Sequence, residues 1–320
     1  MESQSKMIKK LCETYGYKEY MIKRYLKLFG KDQIKDFLEG NEQKLLPSIK
    51  VNTLKISKEA LNKKLADKGF ELEPIPSIPD AYYIRKAPFS IGATTEYLLG
   101  YYYIQRIASM IPLLILNVTS QDIVVDMCAA PGGKTIQIAQ AMNNQGVILA
   151  LDLNRQRMKS LRSNISRCGV KNVIAIRMDA ADLDELHIKN ISKILIDAPC
   201  SGSGLIPVDS KRKTSRIYED ITFCASIQMK LIKTAINSLE QGGELVYSTC
   251  SIEPEENEYI IEAALKQGNI EVIDLDIQLG EPGLTEVFGR KLSPHLKKAK
   301  RFYPFLQKTI GFFICKLKKV

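Results

Sequence analysis

Hydrophobic and polar positions divide the chain into two stretches of different rhythm. Residues 6–39 carry apolar side chains at helical spacing (Ile22, Leu26, Phe29) among lysines, which predicts basic amphipathic helices. Residues 48–56, SIKVNTLKI, partly alternate apolar and polar positions, as an edge-exposed strand does. Residues 57–68 read as a helix, with Ser57 as N-cap and Gly69 as its stop. Pro74, Pro76 and Pro79 interrupt the chain before a short strand at 81–85. Strand, helix and strand joined by turns predict a small α+β unit ending near residue 90.

From about Thr94 the rhythm changes. Apolar strands at 123–127, 147–152, 173–178, 194–198 and 244–248 alternate with helices at 134–143, 154–168, 220–240 and 254–266. Such alternation predicts a mostly parallel sheet covered by helices on both faces. Residues 312–316 supply a last strand at the sheet end. The expected domains are 1–93, helical plus small α+β, and 94–320, α/β. A chain of 320 residues is long enough for a large domain and a smaller one.

Composition narrows the chemistry. The seven cysteines are odd in number and form no CxxC pair, which argues against a disulfide framework and against zinc. A reducing, cytoplasmic setting is expected, with no metal. No signal peptide opens the chain, and its longest apolar run, 107–118, is too short to span a bilayer. The two histidines, His187 and His295, sit in no catalytic constellation. A formal net charge of +10 suits a polyanionic partner such as a nucleic acid, although a merely lysine-rich chain has the same charge.

The segment DMCAAPGGKT, 126–135, lies where a strand ends and a helix begins. Its glycines let backbone approach a ligand at a helix N-terminus. A nucleotide-phosphate loop would need glycine where Cys128 stands, and no GxGxxG is present. Asp152 ends the next strand, where a carboxylate accepts hydrogen bonds from ribose hydroxyls; its alternative is capping the following helix, which Asn154 can do instead. With Asp126, Asp179 and Asp197 it makes four aspartates at four strand ends, predicting one crevice along the carboxyl edge of the sheet. A positively charged, ribose-bearing cofactor without phosphates fits that crevice.

Cys200, in DAPCSGSG, follows the fourth of these strands, and Cys250, in STCS, follows the fifth. Buried cysteine is ordinarily a small hydrophobe, which accounts for Cys168, Cys224 and Cys315. It accounts poorly for two cysteines in polar loops at strand ends. A thiolate adding to C6 of cytosine would turn the electron-poor C5 into a carbon able to attack a methyl donor. The chemistry needs a nucleophile, a partner at N3 and a base for the C5 proton. A helix start near Pro254 would favour a Cys250 thiolate, while Glu253, Glu255 and Glu256 would oppose it.

With these motifs in order (DMCAAPGGKT, DAPCSGSG and STCSIEPEENE, joined by LDLNRQR and GFFICKL) the chain resembles the Nop/Sun family of RNA 5-methylcytosine methyltransferases over about residues 90–320, and SIKVNTLKI extends the likeness. The resemblance implies a Rossmann-like class I methyltransferase domain with a mostly parallel seven-stranded sheet, behind a small α+β RNA-binding domain. It implies S-adenosyl-L-methionine as cofactor. Cys128, Ala129, Ala130, Pro131, Gly132, Gly133 and Lys134 would hold its methionyl part, Asp152 its ribose and Asp179 its adenine surroundings. Arg157 would assist, with a solvated helix position as the alternative. Cys250 would be the nucleophile, Cys200 would assist proton removal and release, and Asp197 would touch cytosine and cofactor. DNA cytosine methyltransferases also carry Pro-Cys, with that cysteine attacking, but lack the second Thr-Cys motif. Pro304-Phe305-Leu306-Gln307 departs from relatives that place a histidine after this proline.

Lys211, Arg212, Lys213 and Arg216 follow the Cys200 loop, and Lys297, Lys298, Lys300 and Arg301 form a second basic run. Both are expected to grip phosphates rather than merely face solvent. Compact members of this kind look most like archaeal enzymes acting on tRNA, with a variable-loop junction cytosine favoured, ribosomal RNA as the alternative and a monomer as the expected state. Competing readings are a non-catalytic RNA-binding or assembly factor and a methyltransferase for proteins or small molecules.

Overall fold

A computed structural model describes residues 2–320. The chain opens with two helices, α1 (Glu2–Tyr15) and α2 (Glu19–Glu42), the second kinked at Gly30. Strand β1 (Ser48–Val51) leads to α3 (Lys58–Ala66), where the Ser57 side chain accepts from Ala60 N as the cap. Gly69 then takes a left-handed φ of 82°. β2 (Glu71–Pro74), β3 (Ala81–Lys86), α4 (Thr95–Leu98) and β4 (Tyr102–Ile104) follow.

These strands form an antiparallel sheet in the order β2-β3-β1-β4. The 48–56 segment therefore departs from the edge strand expected of it. Only its first four residues are extended, and β1 lies between β3 and β4. Asn52 ends it: its buried amide donates to Gly100 O at 2.7 Å and Cys168 O at 2.8 Å.

The expected boundary at 93 also shifts. β4 completes the small sheet, so we put the boundary after Ile104. Residues 1–93 are not one packed unit either. The α1–α2 pair buries Ile22, Tyr25, Phe37 and Leu38 with Ile206, Ile252 and Tyr303, whereas the small sheet has its own core around Ile49, Leu61, Leu65 and Tyr102.

The larger part runs α5 (Ile107–Leu116), β5 (Ile123–Asp126), α6 (Gly133–Ala141), β6 (Val147–Leu151), α7 (Arg155–Cys168), β7 (Val173–Ile176) and β8 (Ile191–Asp197). It continues through α8 (Arg212–Ser215), α9 (Tyr218–Ser238), β9 (Leu239–Thr249), α10 (Glu258–Leu265) and β10 (Ile270–Ile273). The predicted 254–266 helix is split: a 3-10 turn at Pro254–Glu256 precedes α10. Beyond come β11 (Glu281–Pro282), β12 (Glu286–Val287), β13 (Arg290–Lys291), β14 (Lys300–Phe302), α11 (Pro304–Gln307) and β15 (Phe312–Lys319).

Strands β7, β6, β5, β8 and β9 run parallel, and β15 joins β9 antiparallel. Both β10 and β14 pair with β15, so the seven-stranded Rossmann-like framework is extended to nine by β14 and β11. Apolar side chains cover both faces, as a parallel sheet requires. Strand order reverses between β5 and β8, which opens a crevice at their carboxyl ends. Among the described residues no helix is long and apolar enough to cross a membrane.

Candidate active site

The crevice begins in the loop after β5. Gly132, with φ 110°, caps α6 in a left-handed conformation, and a Cβ there would meet Leu161 at 3.0 Å. The loop folds back over β6: Ala129 N donates to Leu151 O at 2.8 Å. Asp152 is buried and accepts from Ala130 N at 3.3 Å and Asn154 N at 2.9 Å, with Arg157 Nη1 at 3.4 Å. Arg157 also donates to Ala130 O. Asn154 supplies the cap of α7, accepting from Gln156 N and Arg157 N, which leaves Asp152 facing the cavity. Asp179 accepts from Ala181 N at 3.0 Å and also lines the cavity.

Asp126 departs from the expected row of four. It lies fully buried beneath the edge, accepts from the Thr135 hydroxyl at 2.7 Å, and lines neither cavity at the crevice. Burial pushes its pKa up to about 6.

Two cavities meet at this edge. The larger, about 920 Å³, is lined by Asp152, Asn154, Arg157, Asp179, Asp197, Cys200 and Cys250 among others. The smaller, about 280 Å³, is lined by Cys128 through Pro131, Gly133, Lys134 and Asp197, by Tyr103 and Ile104 of β4, and by Gln105 just after it. Cys128 and Asp197 belong to both, so the two spaces adjoin. A strand-end carboxylate, Asp152, in one and a glycine-rich helix start in the other fit a nucleoside carrying an amino-acid tail. Asp197 lies between them, accepting from Lys134 Nζ at 2.6 Å and the Ser248 hydroxyl at 2.9 Å.

Register sets the thiols side by side. Asp197 on β8 and Ser248 on β9 are neighbours in the parallel ladder. Cys200 comes three residues after the first and Cys250 two after the second, and their sulfurs lie 3.1 Å apart. Both thiols are free and partly exposed. The hydrogen bond with Cys250, then burial, raises the pKa of Cys200 well above its ordinary value, so it stays a protonated thiol beside its partner. Burial likewise raises Cys128, which makes that thiol a poor nucleophile despite its place in the loop.

The glutamates after Cys250 each have partners of their own. Arg24 of α2 donates to Glu253 from Nε at 2.8 Å and Nη2 at 2.6 Å, and pairs Glu255 at 2.6 Å. Glu258 pairs with Arg301 at 3.0 Å, both essentially without exposure. Glu256 is buried against Ser201 and Ser251, the residues that follow the two cysteines. Position alone did not reveal Glu256; the available signal was a serine after each cysteine with a carboxylate close downstream.

The basic runs divide. Arg212 and Arg216 line the larger cavity, and Lys211 is exposed beside them. Lys213 departs from its expected RNA contact: its ammonium is buried, donates to Tyr15 O at 3.0 Å, and pairs with Glu42. Arg301 departs likewise, being locked to Glu258. Phe305 and Gln307, at the segment lacking the family histidine, are structural. Phe305 stacks edge-on against Phe29 and Phe37, and Gln307 accepts from Tyr303 N at 2.8 Å.

The family model described as 16S rRNA methyltransferase RsmB/F matches residues 113–318, and that of the N-terminal domain of 16S rRNA methyltransferase RsmF matches 18–106. The chain belongs to the RsmB/F, or Nop/Sun, family. Relatives in this family include a mouse 28S rRNA (cytosine-C(5))-methyltransferase, 38% identical over 98% of this chain and 40% of that protein. The tRNA (cytosine(49)-C(5))-methyltransferase of Pyrococcus abyssi is 35% identical over 93% of this chain and 95% of its own. The solved structure of NSun6 from Pyrococcus horikoshii with SFG is 30% identical, with a TM-score of 0.83 over 92% of this chain and 96% of that one. The chain thus spans less than half the length of the mouse RsmB/F relative and nearly all of the archaeal one. Its DMCAAPGGKT, DAPCSGSG and STCSIEPEENE segments all lie within the RsmB/F match.

Proposed function

We propose that the protein transfers a methyl group from S-adenosyl-L-methionine to C5 of a cytosine in RNA. The observation that carries the reading is the pair of thiols 3.1 Å apart on the wall of a cavity that also holds Asp152, Asp179 and Asp197. Bound there, S-adenosylmethionine supplies an electrophilic methyl group. Asp152 and Asp179 hold its adenosine end, and the loop from Cys128 to Lys134 holds its methionyl end. Arg157 braces the loop through Ala130 and Asp152. SFG, found with the Pyrococcus horikoshii relative, is an analogue of the same cofactor.

Cys250 attacks C6 of a base flipped into the cavity, and C5 becomes the carbon that accepts the methyl group. Asp197, held by Lys134 and Ser248, meets the polar edge of the base. Once the Cys250 sulfur is bonded to carbon, the partner that raised the Cys200 pKa is consumed. Cys200 then ionises more readily when a base is needed for the C5 proton. Loss of that proton restores the double bond and expels Cys250. The reading of the chain as a non-catalytic factor gains no support from a site in which both thiols are retained.

The favoured substrate is tRNA, at a variable-loop junction cytosine, a reading supported by the archaeal tRNA enzyme that is 35% identical over 93% of this chain. Ribosomal RNA is the second reading, favoured by the 38% identity to the mouse enzyme. Lys211, Arg212 and Arg216 contact phosphates beside the cavity. The protein acts as a cytoplasmic monomer. Cys250→Ala is expected to abolish transfer, and Cys200→Ala to leave a covalent RNA adduct, seen as a denaturation-resistant gel shift. An adduct that survives the double substitution rules out Cys250 as nucleophile. Bisulfite sequencing of RNA from cells lacking the gene identifies the RNA and the cytosine.

A further inference from the structure

The loops that carry the two thiols are tied to a single carboxylate. Glu256 accepts from Ser201 N at 2.7 Å, from the Ser201 hydroxyl at 2.5 Å and from the Ser251 hydroxyl. Ser201 follows Cys200 by one residue, and Ser251 follows Cys250 by one. Gln228 of α9 closes the arrangement, its Nε2 lying 3.3 Å from Glu256 and donating at 2.8 Å to Pro199 O, just before Cys200. A backbone bond, Gly204 N to Cys250 O at 3.0 Å, links the same loops. Glu256 and Gln228 have no exposed surface. Burial pushes the Glu256 pKa up, and the surrounding donors pull it back toward the charged form.

A carboxylate with no exposed surface needs its hydrogen bonds. Here the donors come from the two loops whose relative position decides whether Cys200 reaches the base that Cys250 has attacked. We propose that Glu256 is a positioning residue that holds Cys200 and Cys250 in register, so that proton removal follows covalent attack. The inference rests on the covalent mechanism proposed above. It assigns Glu256 no contact with substrate or cofactor, and neither cavity at the crevice is lined by it.

The test compares Glu256→Ala, Glu256→Gln and Cys200→Ala in the whole chain with S-adenosylmethionine and the RNA, transfer or ribosomal, that the unsubstituted protein methylates. Four quantities are read: multiple-turnover kcat, cofactor affinity, thermal midpoint and the fraction of protein in denaturation-resistant RNA adduct. Glu256→Ala is expected to lower kcat about 100-fold, the cost of a misplacement near 1 Å. Cofactor affinity should hold, and the adduct fraction should rise toward that of Cys200→Ala. Glu256→Gln keeps an acceptor for Ser201 N and should recover most of kcat. If Glu256→Ala does not fold, Ser201→Ala carries the same expectation on a smaller scale, since it removes one hydroxyl. Unchanged kcat and adduct in the folded variants overturn the inference. So does a parallel loss of kcat, adduct and cofactor affinity, which marks general damage. A Cys200→Ala protein without adduct overturns the covalent mechanism and the inference with it. Adduct in Cys200→Ala alone overturns only the role of Glu256.

Discussion

At the ends of β6, β7 and β8 stand Asp152, Asp179 and Asp197, each open to the large cavity; just past β9 stand Glu253, Glu255, Glu256 and Glu258, and none of them lines it. Both groups are acidic, and both sit near the same sheet edge. Backbone amides hold Asp152 and Asp179, and Lys134 with the Ser248 hydroxyl holds Asp197, yet each aspartate keeps a face on the cavity. The glutamates are enclosed by Arg24, Arg301 and the serines of the thiol loops. A carboxylate's role at this edge follows from its partners rather than its charge. One group should govern ligand affinity, and the other stability and alignment.

The largest effect tests the glutamate half. Glu258→Gln breaks a fully buried ion pair and is expected to cost about 3–5 kcal/mol of folding stability, read by chemical denaturation. Transfer per folded molecule should stay near wild type. A loss under about 1 kcal/mol would place the pair among surface-like bridges and dissolve the contrast.

Asp126 is the aspartate that behaves like the glutamates. Its pKa is about 6 folded against an ordinary 3.8. Below pH 3.8 the proton is bound in both states, and the group's contribution is fully present. As pH rises through about 6 that contribution is lost, up to about 3 kcal/mol. Denaturation at pH 5 and pH 8 should show a slope in the wild type that Asp126→Asn flattens. Equal slopes would return Asp126 to the open group.

Asp152→Ala tests the open group directly. It removes the acceptor proposed for ribose hydroxyls and is expected to weaken cofactor binding about 10- to 100-fold, with a much smaller effect on stability. Calorimetric titration with S-adenosylmethionine measures it, and a large loss of stability with unchanged affinity would reverse the assignment. The smallest effect falls outside both clusters. Lys211→Ala should weaken RNA binding a few-fold and lower the salt slope by about one.

How much of this was legible depended on distance along the chain. The strand ends and both thiol loops could be read because alternating apolar segments locate strands and Pro, Gly and Ser mark where they stop. The side-by-side thiols followed only from the parallel register of β8 and β9. Partners far apart were not legible. Lys213 and Arg301 look like their neighbours in a basic run, and only their burial against Glu42 and Glu258 separates them. Strand β4 has three residues, too few to show alternation, so the small sheet's last strand was assigned to the next domain. Asp126 shares its strand-end position with the other aspartates, but its burial against Thr135 of α6 is a tertiary fact.

The α1–α2 pair finds its partners at the far end of the chain: Arg24 and Glu253 are 229 residues apart, and Phe29 packs on Tyr303 and Phe305. During synthesis these helices leave the ribosome well before the segment that covers them exists. Until residues near 303–305 emerge, Phe29 and its aromatic neighbours have lost part of their final shelter. A nascent chain stopped short of that point should therefore be a better client for chaperones than the finished protein.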